Sequence, residues 1–381
     1  MASILILGGG FGGLAAADQL RRDLDARHEI TVVDRGEDFL MGFAKLWDLA
    51  GLRPMAEGTR SRRALRERGV RFVQAEIASI DPAARRVETS DGPLDADALL
   101  VALGTGASAR HRAMLSAPGA HDLYDVDAVA GMRADLARIT RGRVVVSILG
   151  GPHRCPPAPF EAALIVDERL RARGVRDDVE VVMSTPKPMT LPVAGVDASR
   201  YVADHLADRG IRLLVEHAVT DVDATSQEVV FGSDTRLGYD VLLGVGADVA
   251  PPVVADSALA GEDGWVRPDP HTLATGFDRV YAVGDCTTVP TATGQLPKAG
   301  VFAAEQAAVA ARNLAADLGL GPTARFEGDG YCFLELPGEQ VAYVEGNFYA
   351  DPPDVRLTPA DHEQFRRKQA YERDLLDRWL G

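Results

Sequence analysis

Cysteine is scarce in this chain. Three residues in 381 are too few for a disulfide framework, and a chain of this length buries a large core without one. Any pairing among them is therefore expected to serve redox chemistry rather than to hold the fold. Long hydrophobic runs are also missing. No stretch approaches the ~18 apolar residues of a membrane span, so at most peripheral membrane contact is expected. Positive charge is in short supply: 41 Lys and Arg face 56 Asp and Glu, for a net charge of −15. That balance argues against nucleic acid as a partner. The N-terminus runs into a strand with no basic leader region or cleavage site, which points to a cytoplasmic location. The eight histidines are scattered and lack metal-ligand spacing, so no metal site is expected.

Glycine is plentiful, with 38 residues, as suits tight strand-to-helix turns. Strand and helix patterns alternate from the start, which predicts an α/β fold with parallel sheets. The pattern reads as a strand at 3–7, a helix at 12–24, a strand at 29–33, β structure across 70–80 and an apolar strand at 95–103. A second unit begins near Arg143, with a helix at 160–173, a strand at 179–183, a helix at 202–209 and a strand at 211–216. The strand at 241–246 echoes the one ending at Gly104. A helix follows at 300–318, then β structure at 331–336 and 341–348, and a charged helix at 359–380. The expected architecture is a duplicated Rossmann-like fold with a small C-terminal α+β domain. The expected divisions are 1–110 with 245–325, 111–244, and 326–381.

The first turn reads Gly8-Gly9-Gly10-Phe11-Gly12-Gly13 after the strand Ile4-Leu5-Ile6-Leu7. Gly8 allows the tight turn, Gly10 lets backbone approach a pyrophosphate, and Gly13 permits close helix packing. The helix start at Phe11 and Gly12 offers N–H groups and a positive dipole to phosphates. Asp34, followed by Arg35, closes the next strand about 20 residues on, where an acid binds a ribose hydroxyl.

The second turn is altered. It reads Gly150-Gly151-Pro152-His153-Arg154-Cys155, with bulky residues and proline where phosphate would approach. The strand after it ends in Met183-Ser184-Thr185, without a ribose-binding acid or an Arg for a 2′-phosphate. NAD(P)H binding is therefore not expected there, although an atypical nucleotide site stays open as an alternative. Cys155 precedes a helix start, where the dipole and Arg154 are expected to favour the thiolate. Glu161, one turn into that helix, is placed to relay protons or merely to complement the dipole.

Further motifs extend the picture. Val283-Gly284-Asp285 resembles the Gly-Asp signature of FAD-dependent pyridine nucleotide–disulfide oxidoreductases. Leu103-Gly104-Thr105-Gly106 resembles that superfamily's link between its nucleotide domains. The resemblance implies FAD, with Asp285 on the ribityl chain. It also implies a helix N-terminus at Lys298-Ala299-Gly300 near the pyrimidine end of the flavin. Cys155-Pro156-Pro157-Ala158-Pro159-Phe160-Glu161 resembles the cysteine motif of sulfide:quinone oxidoreductases and of the flavocytochrome c sulfide dehydrogenase flavoprotein. In those families this cysteine pairs with one in the C-terminal domain, and Cys332 matches that place.

The resemblance thus implies oxidation of sulfide or a persulfide through Cys155 and Cys332, with electrons passing via FAD to a quinone or protein acceptor. Two departures bear on it. No cysteine lies between 106 and 143, which argues against polysulfide-chain handling. The segment Glu363-Gln364-Phe365-Arg366-Arg367-Lys368-Gln369 is charged, which argues against membrane docking. Cys286 is expected to be a packing residue. An NAD(P)H-dependent flavin or disulfide reductase, and a non-catalytic flavoprotein that binds a partner, remain as alternatives. An oligomer is possible.

Overall fold

The computed structural model describes residues 1–232, 234–292 and 294–381. Two parallel five-stranded sheets dominate it. The first has the spatial order Val280–Ala282, Ala98–Val101, Ser3–Leu7, Glu29–Asp34 and Arg71–Gln74. The second repeats that layout with Ala120–Asp122, Val241–Val245, Gly142–Ile148, Val179–Ser184 and Arg212–Leu214. Their central strands are buried and largely apolar, ILIL at 4–7 and VVVSI at 144–148, with Ser147 bonded to Ser184 at 2.7 Å. Such runs belong to parallel strands covered on both faces. The α/β duplication expected from the sequence is present.

Helices cover the first sheet through small residues. Phe11–Asp23 and Gly300–Asp317 pack together across alanine-rich faces, with Ala16, Ala17, Ala307 and Ala311 fully buried. Ala158–Ala172 covers the second sheet. A third, antiparallel sheet of Asp329–Leu336, Gln340–Asn347 and Asp354–Asp361 is backed by the helix His362–Leu380. That helix reaches back to the first unit. Trp379 lies edge-on to Phe11 and Phe39, with ring centroids 5.8 and 6.0 Å away. The C-terminal segment is therefore fused to the nucleotide-turn region.

Several boundaries differ from the sequence reading. The β region at 70–80 splits into Arg71–Gln74, in the parallel sheet, and Ile77–Asp81, in a separate antiparallel sheet. The helix expected at 202–209 begins at Gly195. The final helix starts at His362 rather than Pro359, because Asp361 caps it by accepting the Gln364 N–H at 2.7 Å. Pro359 instead lies in the edge strand, where the register slips between the Val341 and Tyr343 pairings. A bulged edge tolerates a residue without an N–H.

Candidate active site

The two sheets and the C-terminal segment enclose a cavity of about 400 Å³. The first glycine turn forms one wall. Gly8 has φ +99°, and a Cβ there would sit 2.3 Å from the Ala102 carbonyl oxygen. A Cβ on Gly13 would lie 1.8 Å from the Gly8 oxygen. Gly10 has nothing within 4 Å of its Cβ position and faces the cavity with Phe11 and Gly12. The tight glycines thus build the turn, and the open one borders free space. Asp34 locks the turn: its carboxylate accepts the Gly9 N–H at 2.7 Å and the Gly36 N–H at 2.8 Å. Arg62, buried and unforeseen, donates to the Gly9 oxygen at 2.7 Å and the Gly36 oxygen at 3.0 Å. Arg35 is exposed.

Gly104, Thr105, Gly284, Asp285, Ala299 and Gly300 also border the cavity. Asp285 Oδ1 is buried with no hydrogen-bond partner among the described residues. Burial first, then Asp248, raises its pKa to about 6. Gly106 sits just behind, paired with Val249. Lys298 turns away from the cavity. Its ammonium donates to the Asp285 and Thr287 carbonyls at 2.7 and 2.8 Å, over the Trp265 ring at 3.8 Å. It braces the Asp285 loop, while the helix from Gly300 presents its N-terminus to the cavity.

The altered turn supplies the opposite wall. Cys155 has φ +48°, an uncommon conformation for a residue with a side chain. Its N–H donates to the Lys298 carbonyl at 2.7 Å. Its own carbonyl accepts from the Ala158 N–H and the Tyr124 hydroxyl, both at 3.1 Å. Cys155 and Cys332 border the same cavity and are both present as free thiols. Cys332 lies on the strand Asp329–Leu336, opposite Val344. Cys286 lies elsewhere, fully buried in the core, with its Sγ 3.3 Å from the Val283 carbonyl.

The electrostatics correct one expectation. Burial first, then Glu161, pushes the Cys155 thiol up to about 12, although the Ala158 N–H, Lys368 and Lys45 pull the other way. The helix start is thus outweighed by desolvation. Arg154 does not serve the thiol as its main partner. Its guanidinium pairs with buried Asp248 at 2.7 Å and donates to Thr105 at 2.6 Å. Burial likewise raises Cys332 well above the ordinary thiol value.

Glu161 heads a buried polar cluster absent from the sequence reading. Its carboxylate accepts the Glu335 N–H at 2.6 Å and lies 3.9 Å from the Lys368 ammonium. Lys368 pairs with Glu335 at 2.6 Å, and the Trp47 indole N–H reaches both Glu335 oxygens at 2.7–2.8 Å. Burial, then Glu335, raises Glu161 to about 7 despite Lys368. Burial opposes the charge on Lys368, but Glu335 and Glu161 outweigh it and hold its pKa above the usual lysine value. Lys368 belongs to the charged segment 363–369, yet it is 2% exposed and borders the cavity. Among the described residues no His, Cys, Asp or Glu cluster could hold a metal ion, and no helix is long and apolar enough to cross a membrane.

Two duplicated Rossmann-like units, one open glycine turn and a cavity bordered by two free thiols are the architecture of an oxidoreductase. The family model for pyridine nucleotide-disulphide oxidoreductases matches residues 2–312, and the chain belongs to that family. It is 24% identical over 379 residues to the mouse mitochondrial sulfide:quinone oxidoreductase, covering 95% of this chain and 81% of the relative. It is also 25% identical over 357 residues to a type II NADH:quinone oxidoreductase of Staphylococcus aureus, covering 85% and 84%. Among solved structures it resembles the Aquifex aeolicus sulfide:quinone oxidoreductase. The TM-score is 0.86 at 21% identity, with 98% of this chain and 90% of that one covered.

Proposed function

We propose that the protein is an FAD-dependent oxidoreductase that takes electrons from sulfide or a persulfide through Cys155 and Cys332 and passes them to a quinone or protein acceptor. The observation that carries this reading is the shared cavity. One glycine turn opens onto it, the other presents Cys155 to it, and Cys332 borders it as well.

The residues present fit FAD. Gly10 leaves room for a pyrophosphate, the helix starts at Phe11 and Gly300 offer N–H groups to anionic parts, and the unpartnered Asp285 Oδ1 awaits a hydrogen bond from a ribityl hydroxyl. The second turn is a poor nicotinamide site. A Cβ on Gly150 would lie 2.7 Å from the His111 ring, so a side chain fills the space beside that turn, and no acid ends the following strand.

In the oxidised state the two cysteines form a disulfide. Hydrosulfide attacks Cys332 Sγ, a sulfur–sulfur bond forms there, and the Cys155–Cys332 bond breaks with its electron pair on Cys155. Thiolates of high pKa are poor leaving groups, and Cys155 is held near 12. Glu161, held near 7, supplies the proton this departure needs. Lys368 and Glu335 keep Glu161 positioned. FAD held by the Gly10 turn and Asp285 would supply the two-electron oxidising capacity needed for sulfur to leave Cys332 as the Cys155–Cys332 bond closes again. Anaerobic addition of sulfide to the purified yellow protein should bleach the flavin, and Cys155→Ser should stay yellow and unbleached. A wild-type flavin indifferent to sulfide would overturn this reading.

A further inference from the structure

The charges around the cavity balance unevenly. Glu161 and Glu335 are answered by Lys368. Arg154 is answered by Asp248. Lys45, half-buried in the cavity wall, has no carboxylate within salt-bridge distance among the described residues. Its ammonium donates to the Tyr124 carbonyl at 2.7 Å and sits 5.5 Å from that ring's centroid. The Arg154 guanidinium lies 5.0 Å from the same centroid. The Tyr124 hydroxyl in turn donates to the Cys155 carbonyl. Tyr124 therefore holds two cations and the thiol-bearing backbone together.

We infer that Lys45, with the part of the Arg154 guanidinium that Asp248 leaves open, forms an anion subsite in the cavity that Cys155 and Cys332 share, so that the sulfur species enters as an anion, hydrosulfide or a persulfide. The inference rests on the function proposed above and adds the residue that selects the charge of the substrate. A half-buried cation without a counter-ion gives up part of its hydration at a cost, and burial first, then Arg154, lowers Lys45 to about 8. An arriving anion relieves that cost and is held by a charge-assisted bond. The aspartates that face Lys45, Asp122 and Asp125, act on it only from beyond ion-pair contact.

The test uses two thiol reagents of similar size on the reduced holoenzyme, anionic sulfonatoethyl methanethiosulfonate and neutral hydroxyethyl methanethiosulfonate. In both, the Cys155 thiolate bonds to the reagent's divalent sulfur and methanesulfinate leaves with the electron pair. Peptide mapping separates Cys155 from Cys332 and Cys286. The anionic reagent should label Cys155 about tenfold faster than the neutral one, as expected for one nearby uncompensated charge. Lys45→Met should erase the preference, Lys45→Arg should restore it, and Lys45→Met should raise KM for sulfide more than it lowers kcat. If Lys45→Met does not fold, thiocyanate should slow neutral labelling of Cys155 in the wild type. Equal labelling by both reagents, or a preference that survives in Lys45→Met, overturns the subsite whatever sulfide does to the flavin. A Lys45-dependent preference in a protein that ignores sulfide supports the subsite and overturns the function proposed above.

Discussion

The two strand–turn–helix units of this protein have the same layout and opposite interiors. In the first, Gly8 and Gly13 are so tightly packed that a Cβ would overlap backbone, and Gly10 between them faces open space. In the second, Gly150 abuts the His111 ring and the turn ends in Cys155, whose N–H is tied to the Lys298 carbonyl of the first unit. The comparison teaches that a duplicated fold can replace an open glycine turn with a crowded one while keeping its helix and strand. The turn is then free to hold a thiol against the other unit's site. Fold and chemistry separate at this point, since the same architecture carries both turns.

The largest expected effect tests the thiol side. Cys155→Ser should slow sulfide reduction of the flavin by a factor on the order of 10³ or more, with the flavin spectrum retained. Stopped-flow absorbance checks this, and fast reduction in the variant would remove the second turn from the chemistry.

Next comes the cluster behind that turn. Lys368→Met leaves Glu335 and Glu161 buried without their counter-ion and should cost about 3–5 kcal/mol of stability, measured by denaturant unfolding. A loss below about 1 kcal/mol, the scale of exposed ion pairs, would mean that the cluster is solvated.

On the cradle side, the contrast is between two glycines. Gly13→Ala should lose about 3 kcal/mol or more through backbone overlap. Gly10→Ala should change stability by about 1 kcal/mol at most while weakening FAD retention, because its Cβ points where pyrophosphate would approach. Equal stability losses in the two variants would break the distinction between packed and open glycines.

A smaller effect concerns pH. Glu161 is raised from 4.5 to about 7, chiefly by burial, so the folded state binds its proton more tightly than the unfolded state. Its contribution to stability is fully present below the unfolded value and is lost as pH rises from about 4.5 through about 7. Lys368, raised above the usual lysine value, stays charged throughout that window and adds no slope. Glu161→Gln should therefore flatten the fall in stability between pH 4.5 and 7, followed by unfolding curves across that range. A slope unchanged from wild type would place the titration elsewhere.

Much of the fold was legible because its signals are local. The glycine spacing, the apolar strand runs and the helix-entry proline motif each lie within a dozen residues, and each marks an element found in the structure. Cys155 and Cys332 were legible by resemblance, and both border the cavity. The charge network was not legible, because its members are brought together over long sequence distances. Lys368 reads as one of several charges on a polar helix. It is buried by residues distant in sequence, between the Phe43 and Trp47 rings and the Glu335 and Glu161 carboxylates. Arg62 lay in a mixed apolar and basic stretch with no motif, yet it braces the first turn. The thiolate expected at Cys155 fails for the same reason. The helix start is a local signal, while the burial that raises the pKa is tertiary.

The central claim is that the second turn exchanged nicotinamide binding for a thiol. Anaerobic titration of the purified protein with sulfide and, separately, with NADH, following the flavin band, tests it most directly. The account predicts rapid bleaching by sulfide and a flavin left oxidised by NADH. Rapid bleaching by NADH with no response to sulfide would contradict it.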